Sequence, residues 1–103
     1  MMLKKIIASL VFPGERMKKL RGSNKEVLIY KNHCLVIEAN GPGTIVRLPE
    51  RRVRKALEVL LKERKKGWIL GSAIWVLDGG KVVMGKLTFT RNEVKQIVKF
   101  FDN

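Results

Sequence analysis

The chain predicts an α+β fold, an antiparallel β-sheet of hairpins with helices packed on one face. Three observations carry that reading. Strand-forming runs are separated by tight-turn signals, Asn40-Gly41-Pro42-Gly43 and Asp78-Gly79-Gly80, where Asn and Gly accept left-handed backbone. Two stretches, one after Pro49 and one after Thr90, change from strand patterning to apolar residues at helical spacing. Each follows a hairpin directly, so neighbouring strands run antiparallel and each helix folds back onto the sheet. The order is β-β-β-α-β-β-α, preceded by a short N-terminal helix, in one domain over residues 1–103.

Residues 3–11 read as the short helix, with Leu3, Ile6 and Leu10 on one face. A basic start followed by an apolar run also has the outline of a secretory leader. Pro13-Gly14 ends that run, and a charged stretch without a small-residue cleavage site follows, so a packed helix is expected. No stretch approaches the length of a membrane span. Residues 15–20 read as a second, basic turn of helix, and Arg21-Gly22-Ser23-Asn24-Lys25 as a polar loop. Residues 1–25 carry seven basic groups against one acid and form a cationic helical segment.

Strands are expected over residues 26–31, 34–39 and 44–48, with Asn32-His33 as the first turn. Pro49 opens a helix, where its missing N–H costs nothing. Val53, Ala56, Leu57, Leu60 and Leu61 form its apolar stripe, and Gly67 its stop. Strands follow over residues 68–70 and 73–77, with Gly71 as a bulge or bend between them. Residues 81–89 read as one long strand interrupted at Gly85. Thr90-Arg91-Asn92-Glu93 is a capping box that starts the last helix, whose stripe is Val94, Ile97, Val98 and Phe101. The segments around Pro49 and Thr90 align at an offset of 41 residues, which reads either as a duplication or as two ordinary strand-to-helix junctions.

Charge sets the functional expectation. Twenty-two Lys and Arg stand against nine Asp and Glu, a formal net charge of +13. A compact domain holds that charge against self-repulsion, and a polyanion is its natural partner. Heat adaptation adds Glu together with Lys, and here the acids do not keep pace, although a single glutamine and abundant Lys, Arg, Val, Leu and Ile suit a thermophile. If Val46, Leu48, Leu87 and Phe89 face the helices, then Arg47, Lys86 and Thr88 face away, and Tyr30 and Trp75 share that second face. Cations mixed with rings suit single-stranded nucleic acid, whose phosphates meet Lys and Arg while bases stack. The competing expectation for Trp68 and Trp75 is core packing. Duplex reading by the helix after Pro49 is disfavoured, since it has Arg but no Asn or Gln for base edges.

Enzymatic chemistry is not expected. One His (His33) and one Cys (Cys34) cannot make a tetrahedral metal site. The serines lack an activating context, and Gly41-Pro42-Gly43 lacks the Gly-Lys-Ser/Thr of a phosphate loop. Cys34, alone in an apolar run, reads as a small buried hydrophobe in a reducing, cytoplasmic compartment. No metal or other cofactor is called for.

Residues from Asn40-Gly41-Pro42-Gly43 to Leu61, and from Trp68 to Phe101, give a layout that resembles the archaeal ThermoDBP-type single-stranded DNA-binding proteins. The resemblance implies a cytoplasmic homo-oligomer, dimer or tetramer, holding single strands in an aromatic-lined cleft with basic rims. Gly85-Lys86-Leu87-Thr88-Phe89-Thr90-Arg91-Asn92-Glu93-Val94 is also similar to the last strand and helix of the whirly and positive-cofactor transcription proteins. The expected function is non-enzymatic binding of single-stranded nucleic acid, DNA before RNA, with little sequence preference. Lys31, Arg47, Arg51, Arg52, Arg54, Lys81, Lys86 and Arg91 would track phosphates, and Tyr30, Trp68 and Trp75 would stack on bases. The alternatives are an RNA-binding protein and a protein–protein interaction or oligomerisation module built on the apolar run from Trp68 to Leu77. Neither a membrane nor a small-molecule substrate is expected as a partner.

Overall fold

Alternating apolar residues fold into two four-stranded antiparallel meanders, each followed by a twelve-residue helix. The structure is a computed structural model and describes residues 17–39, 43–62, 69–70, 74–77 and 79–103. The first unit is β1 (Lys18–Lys19), β2 (Lys25–Tyr30), β3 (His33–Glu38), β4 (Thr44–Pro49) and α1 (Glu50–Leu61). The second is β5 (Ile69–Leu70), β6 (Ile74–Leu77), β7 (Lys81–Met84), β8 (Leu87–Thr90) and α2 (Arg91–Asp102). The fold class is therefore α+β.

The pleat sends one face of each sheet inward. Val27, Cys34, Val36, Val46 and Leu48 of the first sheet join Ile74, Val76, Val82, Met84, Leu87 and Phe89 of the second in one core. Val53, Ala56, Val59 and Leu60 of α1 and Val94, Ile97 and Val98 of α2 complete it. The helices pack on each other, and each crosses to the other unit, α1 to β7 and α2 to β2. The sheets also meet at Gly85, whose φ is +62°. A Cβ there would lie 3.2 Å from Cγ1 of Val46, so both the backbone and the space favour glycine.

Several expectations change. Two sheets form instead of one, because each helix leaves an edge strand and carries the chain away across the inner face. Lys18–Lys19 is not helical; it pairs with Val27 and Glu26, and Leu20 beside it is buried. The stretch 81–89 is not one strand. Gly85 and Lys86 reverse it into a hairpin that pairs Met84 with Leu87. The first turn lies at Lys31 and Asn32, one residue earlier than expected, with Lys31 at φ +53°. Pro49 ends β4 and stands as the N-cap of α1, and Leu61 is 56% exposed while Val59 takes the buried place. The short helix over 3–11 and the Gly71 bend lie outside the described residues.

Glu93 joins the two units. In the capping box the Glu93 amide donates to Thr90 Oγ1 at 3.2 Å, and the Thr90 amide donates to Glu93 Oε1 at 2.8 Å. The other oxygen, Oε2, accepts from Lys25 Nζ at 2.8 Å and from the Ser23 hydroxyl. Glu38 stands 3.6 Å from the same ammonium. One turn along α2, the Gln96 amide group pairs with the Arg21 backbone, accepting from its N–H at 2.8 Å and donating to its carbonyl at 3.0 Å. The turn between β1 and β2 is thus fastened to the last helix. Burial would raise the Glu93 carboxyl, but Lys25, Ser23 and the Thr90 amide outweigh it and hold the group below the usual carboxylate range.

Glu93→Ala strands a buried ammonium and removes a cap, and is expected to cost about 3–5 kcal/mol in urea unfolding. A carboxylate held low in the folded state contributes its stability above the ordinary carboxylate pKa and loses it as pH falls through the lowered value. Wild-type stability should therefore fall on the acid side of that range, and Glu93→Gln should flatten the decline. An equal decline in the two proteins would assign the acid sensitivity elsewhere.

Cys34 is buried between its register partners Ile29 and Leu48. Burial pushes its thiol up to about 12, against a small opposing effect from a Leu48 backbone hydrogen bond. A chromogenic disulfide reagent is expected to leave Cys34 untouched in the folded protein and to react fully in denaturant. Rapid labelling of the native protein would contradict this packing.

Candidate nucleic-acid interface

The faces turned away from the core differ between the two sheets. On the first, register places Leu28, Leu35 and Arg47 in one row, and Tyr30, His33 and Pro49 in the next. On the second, the corresponding rows are Trp75, Val83 and Thr88, then Leu77, Lys81 and Thr90. Arg47 and Thr88 each stand three residues before their helix, so Trp75 occupies the place of Leu28. Leu28 is 0% exposed and Trp75 is 41% exposed. The same position is therefore closed on one sheet and open on the other.

On the same sheet, Lys81 one row along on β7 and Lys86 in the β7–β8 turn are exposed and have no carboxylate partner among the described residues. Thr88 is exposed at the far end of the Trp75 row, on β8 at the edge of the sheet. An edge strand leaves alternate amides and carbonyls facing away from its neighbour. Past that edge lies a cleft of about 590 Å³. Lys81, Thr88 and Thr90 form one wall, Gly22, Ser23, Asn24 and Lys25 the other, and Glu93 also lines it.

The expected ring-and-cation residues do not form one surface. Tyr30 and Trp75 lie on different sheets. Tyr30, 38% exposed, has Lys31 Nζ 5.4 Å from its ring centroid, a cation–π contact at the end of the β2–β3 hairpin. Arg47 is exposed on β4 and Arg51 in the first turn of α1. Arg51 lines a second cleft, of about 490 Å³, with Asn32, His33, Pro49, Glu50 and Arg54. Arg52 is half-buried, and its Nε is buried without a hydrogen-bond partner. Arg54 pairs with Glu50 at 2.7 Å and with Asp102 at 2.5 Å, joining the two helices. Arg91 donates to the Leu60 carbonyl at 3.2 Å, closing the end of α1. Arg54 and Arg91 thus have structural partners, while Trp68 lies outside the described residues.

Sequence reasoning missed the cleft. Thr90 and Glu93 were legible as a cap, but the approach of Ser23, Asn24 and Lys25 to Thr88 is a contact between chain segments more than sixty residues apart. No local pattern encodes such an approach.

Trp75 fluorescence is expected to be quenched readily by acrylamide in the native protein, and its loss in Trp75→Phe should leave stability within about 0.5 kcal/mol, as for a substitution at an exposed position outside the core. A large loss of stability would show the indole to be a packing element. Among the described residues no helix is long and apolar enough to cross a membrane. Comparison of the chain with protein families, with curated proteins and with solved structures gives no match.

Proposed function

We propose that the chain binds single-stranded nucleic acid, DNA before RNA, on the outer face of the second sheet, without catalysing a reaction. The exposure of Trp75 carries this reading. A large ring left open on a sheet, where its counterpart Leu28 is closed, is a flat apolar platform on the sheet that also carries Lys81 and Lys86, which have no carboxylate partner among the described residues. Bases stack on such a ring whatever their identity, and the cations take the phosphates. The net charge of +13 draws the polyanion to the protein over a longer range. Single-strand binding is also what the resemblance to the archaeal ThermoDBP-type proteins implies, and no residue role is taken from it. Arg47, Arg51 and Arg52 provide a second cationic region, on the first unit, along which a longer strand continues. A cytoplasmic location fits the lone thiol.

A second reading has one observation in its favour. Leu77 and Val83 share the face of Trp75 and are only half-buried, which also suits contact between copies of the chain. Anisotropy titrations with single-stranded DNA, RNA and duplex DNA, combined with light scattering, separate the two. The proposed function expects binding that weakens with salt, log K falling by about 0.7 per phosphate contacted against log of salt concentration. Trp75→Ala should remove the fluorescence quenching by DNA and about 1–3 kcal/mol of binding. A stable oligomer with no affinity for any of the three nucleic acids would favour the contact between copies.

A further inference from the structure

The cleft beside β8 differs in chemistry from the platform it adjoins. Among its polar groups, the Glu93 carboxylate is engaged by Lys25, Ser23 and the Thr90 amide. Three others make no hydrogen bond or ion pair among the described residues: the Asn24 side-chain amide, the Lys81 ammonium and the Thr88 hydroxyl. These supply one donor–acceptor amide, one donor–acceptor hydroxyl and a single positive charge. A free phosphate or other small dianion fits poorly, since a buried carboxylate forms part of the lining and only one unpaired cation faces it. A planar ring whose edge carries both donors and acceptors, joined to one phosphate, fits all three groups.

Placement points the same way. Thr88 belongs both to the Trp75 row and to the wall of the cleft. It stands two strands from Trp75, roughly 10 Å across the sheet. A strand stacked on Trp75 and running over Val83 reaches the cleft next. The cleft, of about 590 Å³, is open to solvent, so it offers a base edge polar contacts without enclosing the ring.

We propose that this cleft is a nucleobase subsite, which holds a base next to the one stacked on Trp75 and reads its edge with Asn24 and Thr88. Lys81 takes the phosphate between the two nucleotides. The inference rests on the single-strand binding proposed above, and adds to it a preference at one position that stacking alone does not give. An amide is suited to this, because it meets a base edge with a donor and an acceptor at once.

The experiment titrates labelled dT, dA and dC oligomers of equal length, at one salt concentration, into wild type, Asn24→Ala, Thr88→Val and Lys81→Ala. Thermal melting by circular dichroism confirms that each variant is folded. Wild type should separate its best and worst oligomer by about tenfold, the scale of one well-made base contact. Asn24→Ala and Thr88→Val should each bring that spread within about twofold, while Lys81→Ala weakens all three oligomers alike and keeps the spread. A wild type that binds all three equally, or folded Asn24 and Thr88 variants that retain the spread, overturns the subsite and leaves the platform standing. A wild type that binds none of the oligomers overturns the platform and the subsite together.

Discussion

A buried ammonium and a buried carboxylate hold the two halves of this protein in register. Lys25 and Glu93 have side chains only 6% and 7% exposed and lie 2.8 Å apart. Removing two charges from water is costly, and their attraction offsets that cost only when the remaining hydrogen-bonding positions are filled. Here they are. Glu93 accepts from Ser23 and from the Thr90 amide, and the Lys25 ammonium stands near Glu38 and 5.4 Å from the centroid of the Phe89 ring. The pair does not simply add stability, since apolar residues of similar volume often do as well. It fixes geometry. It sets the start of β2 against the start of α2, and so stands the β1–β2 turn beside β8. The cleft next to Trp75 exists because of that placement.

The two units share one plan and differ at matching positions. At the offset of 41 residues, Pro49 corresponds to Thr90 and Arg52 to Glu93. The second helix is capped by its own side chains. The first has no side-chain cap, and its Glu50 amide donates instead to the Asn32 carbonyl at 2.8 Å. Where Glu93 gathers three donors, Arg52 has an Nε with no acceptor. Outward-facing positions differ as well, with Leu28 against Trp75 and Arg47 against Thr88. One unit has closed the centre of its outer face and placed a cation at the edge. The other has opened the centre with an indole and placed a hydroxyl at the edge. A ring platform with a polar margin comes from the second set of choices.

Local chemistry was legible wherever it decides structure by itself. The capping box at Thr90, the turn at Gly79-Gly80 and the apolar stripe of α2 each depend on residues within a few positions of one another. Outward placement of Arg47, Thr88, Tyr30 and Trp75 was legible too, because strand alternation is strict once the inward residues are known. What escaped was set at long range. Lys18 and Lys19 have no strand propensity to announce them, and they are extended because Glu26 and Val27 offer a ladder. Leu61 was placed in the stripe of α1 by spacing alone, and the course of the helix over the core admits Val59 in its stead. Division into two sheets placed Tyr30 and Trp75 on separate surfaces, which no alternation pattern records.

Net charge and charge placement answer different questions in this molecule. A value of +13 counts every cation alike, but several of them are already in use. Arg54 bridges the two helices, Arg91 closes the end of α1, Lys25 is buried, and Lys62 and Lys55 stand on Glu58, whose carboxyl they hold low, the Lys62 hydrogen bond foremost. Lys18 lies 4.9 Å from the Phe100 ring centroid. Among the described residues, the cations without such partners include Lys81 and Lys86 on the sheet of Trp75, and Arg47 and Arg51 on the first unit. Exposed charges farther apart than about 10 Å are screened at moderate salt, so a bound strand feels chiefly the cations it touches. On the proposed reading, contact with Lys81 and Lys86 would bring a strand onto the face that carries the indole, whose row leads to the cleft.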